Sequence, residues 1–169
     1  MAVEAATRER FADVLNTRIL TPLDLKDTSF TPELANAGAT VHGYQLIEGE
    51  NVDVSDTNTS WAWAAGGMVS TAADLLTFGQ ALFTGELLDQ ASFAEMSAFG
   101  PDGEGMGLYG GETPSGDILL NDGNSAGFTS FLVRVPDESL TLVLLTNTGT
   151  PIVDPGTVVI VAIQDALER

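Results

Sequence analysis

Residues 119–147 read LLNDGNSAGFTSFLVRVPDESLTLVLLTN. Residues 128–135 and 140–146 are apolar-rich runs separated by a turn stretch containing Pro136-Asp137-Glu138-Ser139, which predicts two consecutive strands. Upstream, residues 117–120 predict a third strand, which meets Asn121-Asp122-Gly123-Asn124-Ser125-Ala126-Gly127. A hairpin needs only about two to five turn residues, fewer than this stretch holds. Surplus small polar residues at a strand end predict close approach of another group to the backbone. SLTLVLLT, residues 139–146, is apolar on both faces and predicts a strand inside the sheet, covered on both sides.

Before these strands the period is helical. Residues 2–20 predict one amphipathic helix with Phe11, Val14, Leu15 and Ile19 on a stripe, stopped by Pro22. Residues 31–60 are turn-rich, with a short extended piece at 44–47. MVSTAADLLTFGQALFTG, residues 68–85, is the clearest helix: Thr71 and Asp74 fit a capping box, Leu75, Phe78 and Leu82 share a face, and Gly85 ends it. A shorter helix is predicted over 89–99, before Gly100-Pro101. TVVIVAIQDALER, residues 157–169, is ambiguous, its β-branched run suiting a strand and its length and Asp154-Pro155 start suiting a helix. Helices first and strands last is an α+β order in one domain over 1–169, with a helical and loop part to about 104 and the sheet and last segment from about 105.

At 169 residues, with 44% hydrophobic residues, the chain can bury a core. No signal peptide or membrane-spanning run is visible, so localisation stays open. The absence of cysteine excludes disulfides, a thiol nucleophile and cysteine-based metal sites. The formal net charge is −18, from 24 acidic and 6 basic residues, with Lys26 the only lysine. That balance excludes a nucleic-acid partner and disfavours an anionic membrane. It fits either adaptation to high salt or an ordinary acidic protein.

Motifs for chemistry are few. Gly105, Gly107 and Gly110 match G-x-G-x-x-G, but turns flank them where a dinucleotide site needs a strand and a helix. They are read as a glycine-rich entry into the sheet. His42 is the only histidine, and no G-x-S-x-G elbow accompanies it, so a surface or packing role is expected. No metal motif and no cofactor fingerprint stands out. Trp61 and Trp63 alternate, so one can be buried while the other lines a cleft, although packing alone accounts for both.

ILTPLDLKDTSF (19–30), SWAWAAGGMVSTAADLLTFGQALFTGELL (60–88), GMGLYGG (105–111) and NDGNSAGFTSFLVRVPDESLTLVLLTN (121–147) follow one another in this order. Together they resemble the C-terminal half of the serine β-lactamase-like family: class C β-lactamases, DD-peptidases and related esterases. That family carries Lys-Thr-Gly or His-x-Gly on an edge strand, with a Gly-aromatic pair four residues on. Asn121-Asp122-Gly123 and Gly127-Phe128 have this spacing. The resemblance implies a β-lactamase/transpeptidase-like fold, incomplete here, with three strands of an antiparallel sheet present and residues 157–169 as a C-terminal helix.

It also implies roles. Asn121, Asp122 and Gly123 would lie on the substrate-docking strand, the Asn124 N–H would serve an oxyanion hole, and Trp61 and Ser125 would border the substrate. Gly66 and Gly67 are read as structural, in the turn before the helix. Asn121 stands where the family has Lys or His; it can hydrogen-bond but cannot shuttle a proton. The family's Ser-x-x-Lys nucleophile and Tyr-x-Asn base are expected before Met1, because Lys26, the only lysine, has Leu23 three positions earlier. The implied activity is hydrolysis of a small-molecule, peptide or ester substrate through an acyl-enzyme, without cofactor or metal, by a chain that is inactive alone. The alternative is a non-catalytic binding module. An unpaired apolar strand would make the chain self-associate or take up a complementing segment.

Overall fold

The computed structural model describes residues 2–30, 41–58, 60–114, 116–151 and 153–168. Of the turn-rich stretch expected at 31–60, residues 31–40 and 59 lie outside these.

The expected helix over 2–20 is broken. Helix α1 (Ala2–Thr7) ends at Arg8, whose φ is 61°, and α2 (Phe11–Leu15) runs into a π-helical turn, Asn16–Leu20. Tertiary packing overrides the period: the Phe11 ring meets Phe30 edge-on and Trp63 at a tilt, each at 5.1 Å between centroids. The Glu4 carboxylate accepts the Phe11 N–H at the break, at 3.1 Å.

Strand β1 (Ser29–Phe30) leads to the hairpin of β2 (Tyr44–Ile47) and β3 (Glu50–Asp53). After a 3-10 turn at Ser60–Ala65, β4 (Met68–Val69) pairs with β1 and opens α3 (Ala72–Phe83). Trp63 sits in that turn at φ 40°, and its carbonyl accepts the Gly67 N–H at 2.7 Å. A Cβ on Gly67 would lie 2.6 Å from the same oxygen, which accounts structurally for this glycine.

Thr71 caps α3 as expected, accepting the Asp74 N–H. The Asp74 carboxylate serves a different contact. It accepts the Asp27 N–H at 2.9 Å and the Thr28 hydroxyl at 2.7 Å, fastening the segment before β1 to the helix start. Helix α4 (Gln90–Met96) is capped by Asp89 and stacks Phe93 edge-on against Phe83.

The sheet differs from the three-strand expectation in two ways. It has four strands, ordered β5 (Tyr109–Thr113), β6 (Gly116–Ser125), β7 (Phe128–Val135) and β8 (Leu140–Thr146), all neighbours antiparallel. In addition β6 continues through the polar stretch to Ser125, leaving a two-residue turn, Ala126-Gly127. Gly127 adopts φ 79° at the second turn position, a left-handed conformation that residues with a Cβ rarely adopt.

β8 is last in this sheet, with β7 as its strand partner among the described residues, and is the unpaired apolar strand expected where only part of the domain is present. Its two apolar faces nonetheless have a cause. Leu140, Leu142 and Leu144 pack on the core, while α3 lies across the other face, where a Cβ on Gly79 would come within 2.7 Å of Leu132 and 3.3 Å of Thr141. The ambiguous last segment is a helix, α5 (Pro155–Leu167), whose first-turn N–H of Thr157 is capped by the Asp154 carboxylate at 2.8 Å. Val159 and Ile163 of α5 meet Ile118, Val133 and Val135 of the sheet to form the core.

Candidate active site

β5 accompanies β6 only as far as Leu120, which lies opposite Tyr109. β7 accompanies it from Leu119 to Ser125. Residues 121–125 are therefore paired on one side, and their outer edge has no strand partner among the described residues. Backbone groups in an antiparallel ladder alternate in direction. With Thr113 and Gly116 closing one hairpin and Ser125 and Phe128 the next, the alternation turns the N–H and C=O of Asp122 and Asn124 to the open edge.

The side chains alternate as well. Asn121, opposite Leu132, and Gly123, opposite Ser130, share the face that α3 covers. Asp122, opposite Phe131, and Asn124, opposite Thr129, belong to the other face. Asn121 Nδ2 donates to the Gly107 carbonyl at 3.1 Å, so the glycine-rich loop before β5 is fastened to the first residue of the open stretch. Asn124 Nδ2 donates to Thr129 Oγ1 at 3.1 Å and to the Gly149 carbonyl at 3.0 Å. Thr129 donates in turn to Thr148. These bonds hold the end of β6 and leave the Asn124 backbone N–H at the edge. A Cβ on Gly123 would fall 2.9 Å from Ser130 Oγ, so the neighbour that a larger residue would meet first is this hydroxyl.

Between α3 and the sheet lies an apolar cavity of about 250 Å³, walled by Leu75, Phe78, Leu82, Met96, Leu108 and Leu132, with Asn121 and Ser130 among its polar lining. The helix face expected for Leu75, Phe78 and Leu82 is the wall of this cavity. Sequence reasoning missed Ser130; its signal is the alternation of β7, which puts it opposite Gly123. Trp61 stands 79% exposed on the 3-10 turn and takes no part in the cavity wall, whereas Trp63 stacks on Phe11 and Phe30. Ser125 is half-buried at the turn.

His42 is a surface residue, as expected. Its Nδ1 lies 2.6 Å from Asp53 Oδ2. The other Asp53 oxygen accepts the Ser55 hydroxyl and N–H, and chiefly these bonds, with help from His42, hold the Asp53 carboxyl down at about 2 against an ordinary 3.8. Among the described residues no group of three acidic or histidine side chains converges to hold a metal ion.

An antiparallel sheet with a helix on each face, one of its strands left unpaired on one side at residues 121–125 among the described residues, is the arrangement of the β-lactamase/transpeptidase-like fold. The sequence model of the Beta-lactamase family matches residues 1–163, and the chain belongs to that family. A D-stereospecific amidohydrolase from a Streptomyces species is 28% identical, with a TM-score of 0.77 over 87% of this chain and 46% of its own. The D-amino acid amidase from Ochrobactrum anthropi SV3, complexed with L-phenylalanine, is 30% identical, with a TM-score of 0.74 over 89% of this chain and 47% of its own. The octameric penicillin-binding protein homologue from Pyrococcus abyssi, 19% identical, shares the fold with a TM-score of 0.78 over 99% of this chain and 40% of its own. The chain thus spans under half the length of each of these solved structures.

Proposed function

We propose that residues 1–169 are the C-terminal portion of a serine hydrolase that cleaves amide or ester bonds through an acyl-enzyme. The observation that carries this reading is the open edge of β6 at residues 121–125. An extended substrate adds there as a strand, taking backbone hydrogen bonds from Asp122 and Asn124. Asn121, Asp122 and Gly123 form the docking stretch, with Ser125 and Trp61 as bordering residues.

The nucleophile is a serine of a Ser-x-x-Lys segment lying outside residues 1–169, with a Tyr-x-Asn base. As the base takes the serine hydroxyl proton, which it later hands to the leaving group, the serine oxygen bonds to the substrate carbonyl carbon and the carbonyl oxygen takes the negative charge. The Asn124 N–H and the nucleophile's own N–H receive that oxyanion, each donor contributing roughly 3–4 kcal/mol. The C–N or C–O bond then breaks, the leaving amine or alcohol takes a proton, and water releases the acyl group as an acid. Amide hydrolysis is favoured by the names of the relatives at 28–30% identity, an amidohydrolase and an amidase. A segment that completes the domain would also cover the outer edge of β8.

A second reading has its own observation. The Asn121 carboxamide is engaged with Gly107 and carries no transferable proton, which suits a binding module that kept the fold without the chemistry. The DNA upstream of Met1, translated in frame, separates the two. Ser-x-x-Lys followed by Tyr-x-Asn, and ester or amide hydrolysis by the joined protein that is lost on replacing that serine, is the expected result. A stop codon and ribosome site directly before Met1 would overturn the hydrolase reading in favour of the module.

A further inference from the structure

Residues 121–125 have a ladder on one side only, because β5 stops opposite Leu120. At Asn124 a side chain supplies the missing support. Thr129 lies directly opposite Asn124 on β7 and is buried, 7% exposed. A buried hydroxyl needs partners, and this one is used in both directions. It accepts from Asn124 Nδ2 at 3.1 Å and donates to the Thr148 carbonyl at 2.9 Å. Asn124 Nδ2 also donates to the Gly149 carbonyl at 3.0 Å. The Asn124 carboxamide is thereby fixed by two acceptors, one on β7 and one on the segment after β8, on the face of β6 away from the cavity.

The segment after β8 is anchored in turn to the β2–β3 hairpin. The Tyr44 N–H donates to the Asn147 carbonyl at 3.0 Å, and the Gly149 N–H donates to the Tyr44 carbonyl at 2.9 Å. The Leu46 N–H donates to Thr150 Oγ1 at 2.7 Å, and Asn147 Nδ2 donates to the His42 carbonyl at 3.0 Å. The hairpin thus holds residues 147–150, and these hold Asn124. We infer that the Asn124 side chain and Thr129 are positioning residues for acyl transfer: braced on the hairpin through residues 147–150, they keep the Asn124 backbone N–H aimed at the oxyanion. The inference rests on the proposed oxyanion role of that N–H. Thr129, being buried, acts without touching the substrate. A donor stabilises developing charge only when it is held in place beforehand, and a misplacement of about 1 Å can cost about a hundredfold in rate. Loosening the brace therefore lowers kcat, while the rest of the open edge still binds the substrate.

Steady-state hydrolysis of p-nitrophenyl acetate and of D-phenylalaninamide, by residues 1–169 joined to the Ser-x-x-Lys segment, tests this. Thr129→Val keeps the shape and removes the hydroxyl; it and Asn124→Ala should each lower kcat by about 10–100-fold with KM within about twofold. Thr129→Ser, which keeps the hydroxyl, should restore kcat to near the parent value. Ile163→Val, a change in the core under the sheet, should lower Tm and leave kcat unchanged. In the 169-residue chain, ¹⁵N relaxation dispersion should show exchange at residues 122–125 with Thr129→Val and none there in the parent. A kcat untouched by Thr129→Val, a loss as large with Ile163→Val, or no new exchange at 122–125 would overturn the brace and leave Thr129 a structural residue in a working hydrolase. A joined parent that hydrolyses neither compound would remove the hydrolase reading itself, and this inference with it.

Discussion

Gly127→Ala should be among the costliest small substitutions in the chain, and the structure says why. Gly127 holds φ 79° in the two-residue turn that ends β6. A Cβ there would lie 2.6 Å from the Gly43 carbonyl carbon, 2.8 Å from Gly43 Cα and 2.8 Å from Val54 Cγ2. Two of these neighbours are backbone, so the clash cannot be relieved by a rotamer change. The left-handed backbone costs an L-residue about 1–2 kcal/mol, and forced overpacking adds about 1–3 kcal/mol, for a total of about 2–5 kcal/mol. Gly49, at the tip of the β2–β3 hairpin, supplies the comparison: its φ is 89°, but nothing lies within 4 Å of its Cβ position. Gly49→Ala should therefore cost only the backbone part, about 1–2 kcal/mol. For a chain of this size the two correspond to about 4–20 °C and 2–8 °C in Tm. Urea unfolding followed by tryptophan fluorescence and circular dichroism measures both. Equal costs would refute the close backbone contact between the Ser125–Phe128 turn and Gly43.

Other outcomes follow from single features. Asp53 titrates at about 2 in the fold against 3.8 ordinarily, so its contribution is complete above 3.8 and fades as pH falls towards 2. Asp53→Asn should accordingly destabilise the chain at neutral pH and converge with the parent in acid unfolding near pH 2. Ile163, 1% exposed in the core under the sheet, should cost about 2–5 kcal/mol when changed to Ala, read from the same denaturant curves. If the net charge of −18 reflects adaptation to salt, Tm should climb between low and molar KCl; a flat profile would leave an ordinary acidic protein.

Where local signals and tertiary packing agree, the fold was legible in the residues. Thr71 and Asp89 mark two helix starts, and the apolar runs of β7 and β8 mark two strands, whereas the residues of α5 read equally as strand or helix, because its β-branched run competes with its Asp154 cap. β5 was not legible, because Tyr-Gly-Gly-Glu-Thr lacks an apolar alternation and forms a strand through its pairing with β6. The extension of β6 to Ser125 was hidden for a related reason. Asn121, Asp122 and Asn124 are polar because they are exposed at an open edge, so the stretch read as turn. Apolar character on both faces of β8 records its cover by α3 on one side and the core on the other. The break at Arg8 came from Phe11 turning to meet Phe30 and Trp63, a contact with no local signature. The candidate site was legible as a spacing, Asn121-Asp122-Gly123 before Gly127-Phe128, whereas its two faces required the register of β6 against β7.

Intact-mass spectrometry after exposure to a fluorophosphonate and to an acylating β-lactam tests the central claim most directly, the claim being that this chain supplies the docking strand and another segment the nucleophile. Residues 1–169 alone should gain no covalent mass, and joined to a segment bearing Ser-x-x-Lys they should label on that serine, weakly, because Asn121 is neutral. Stoichiometric labelling of a monomeric 169-residue chain would contradict the account.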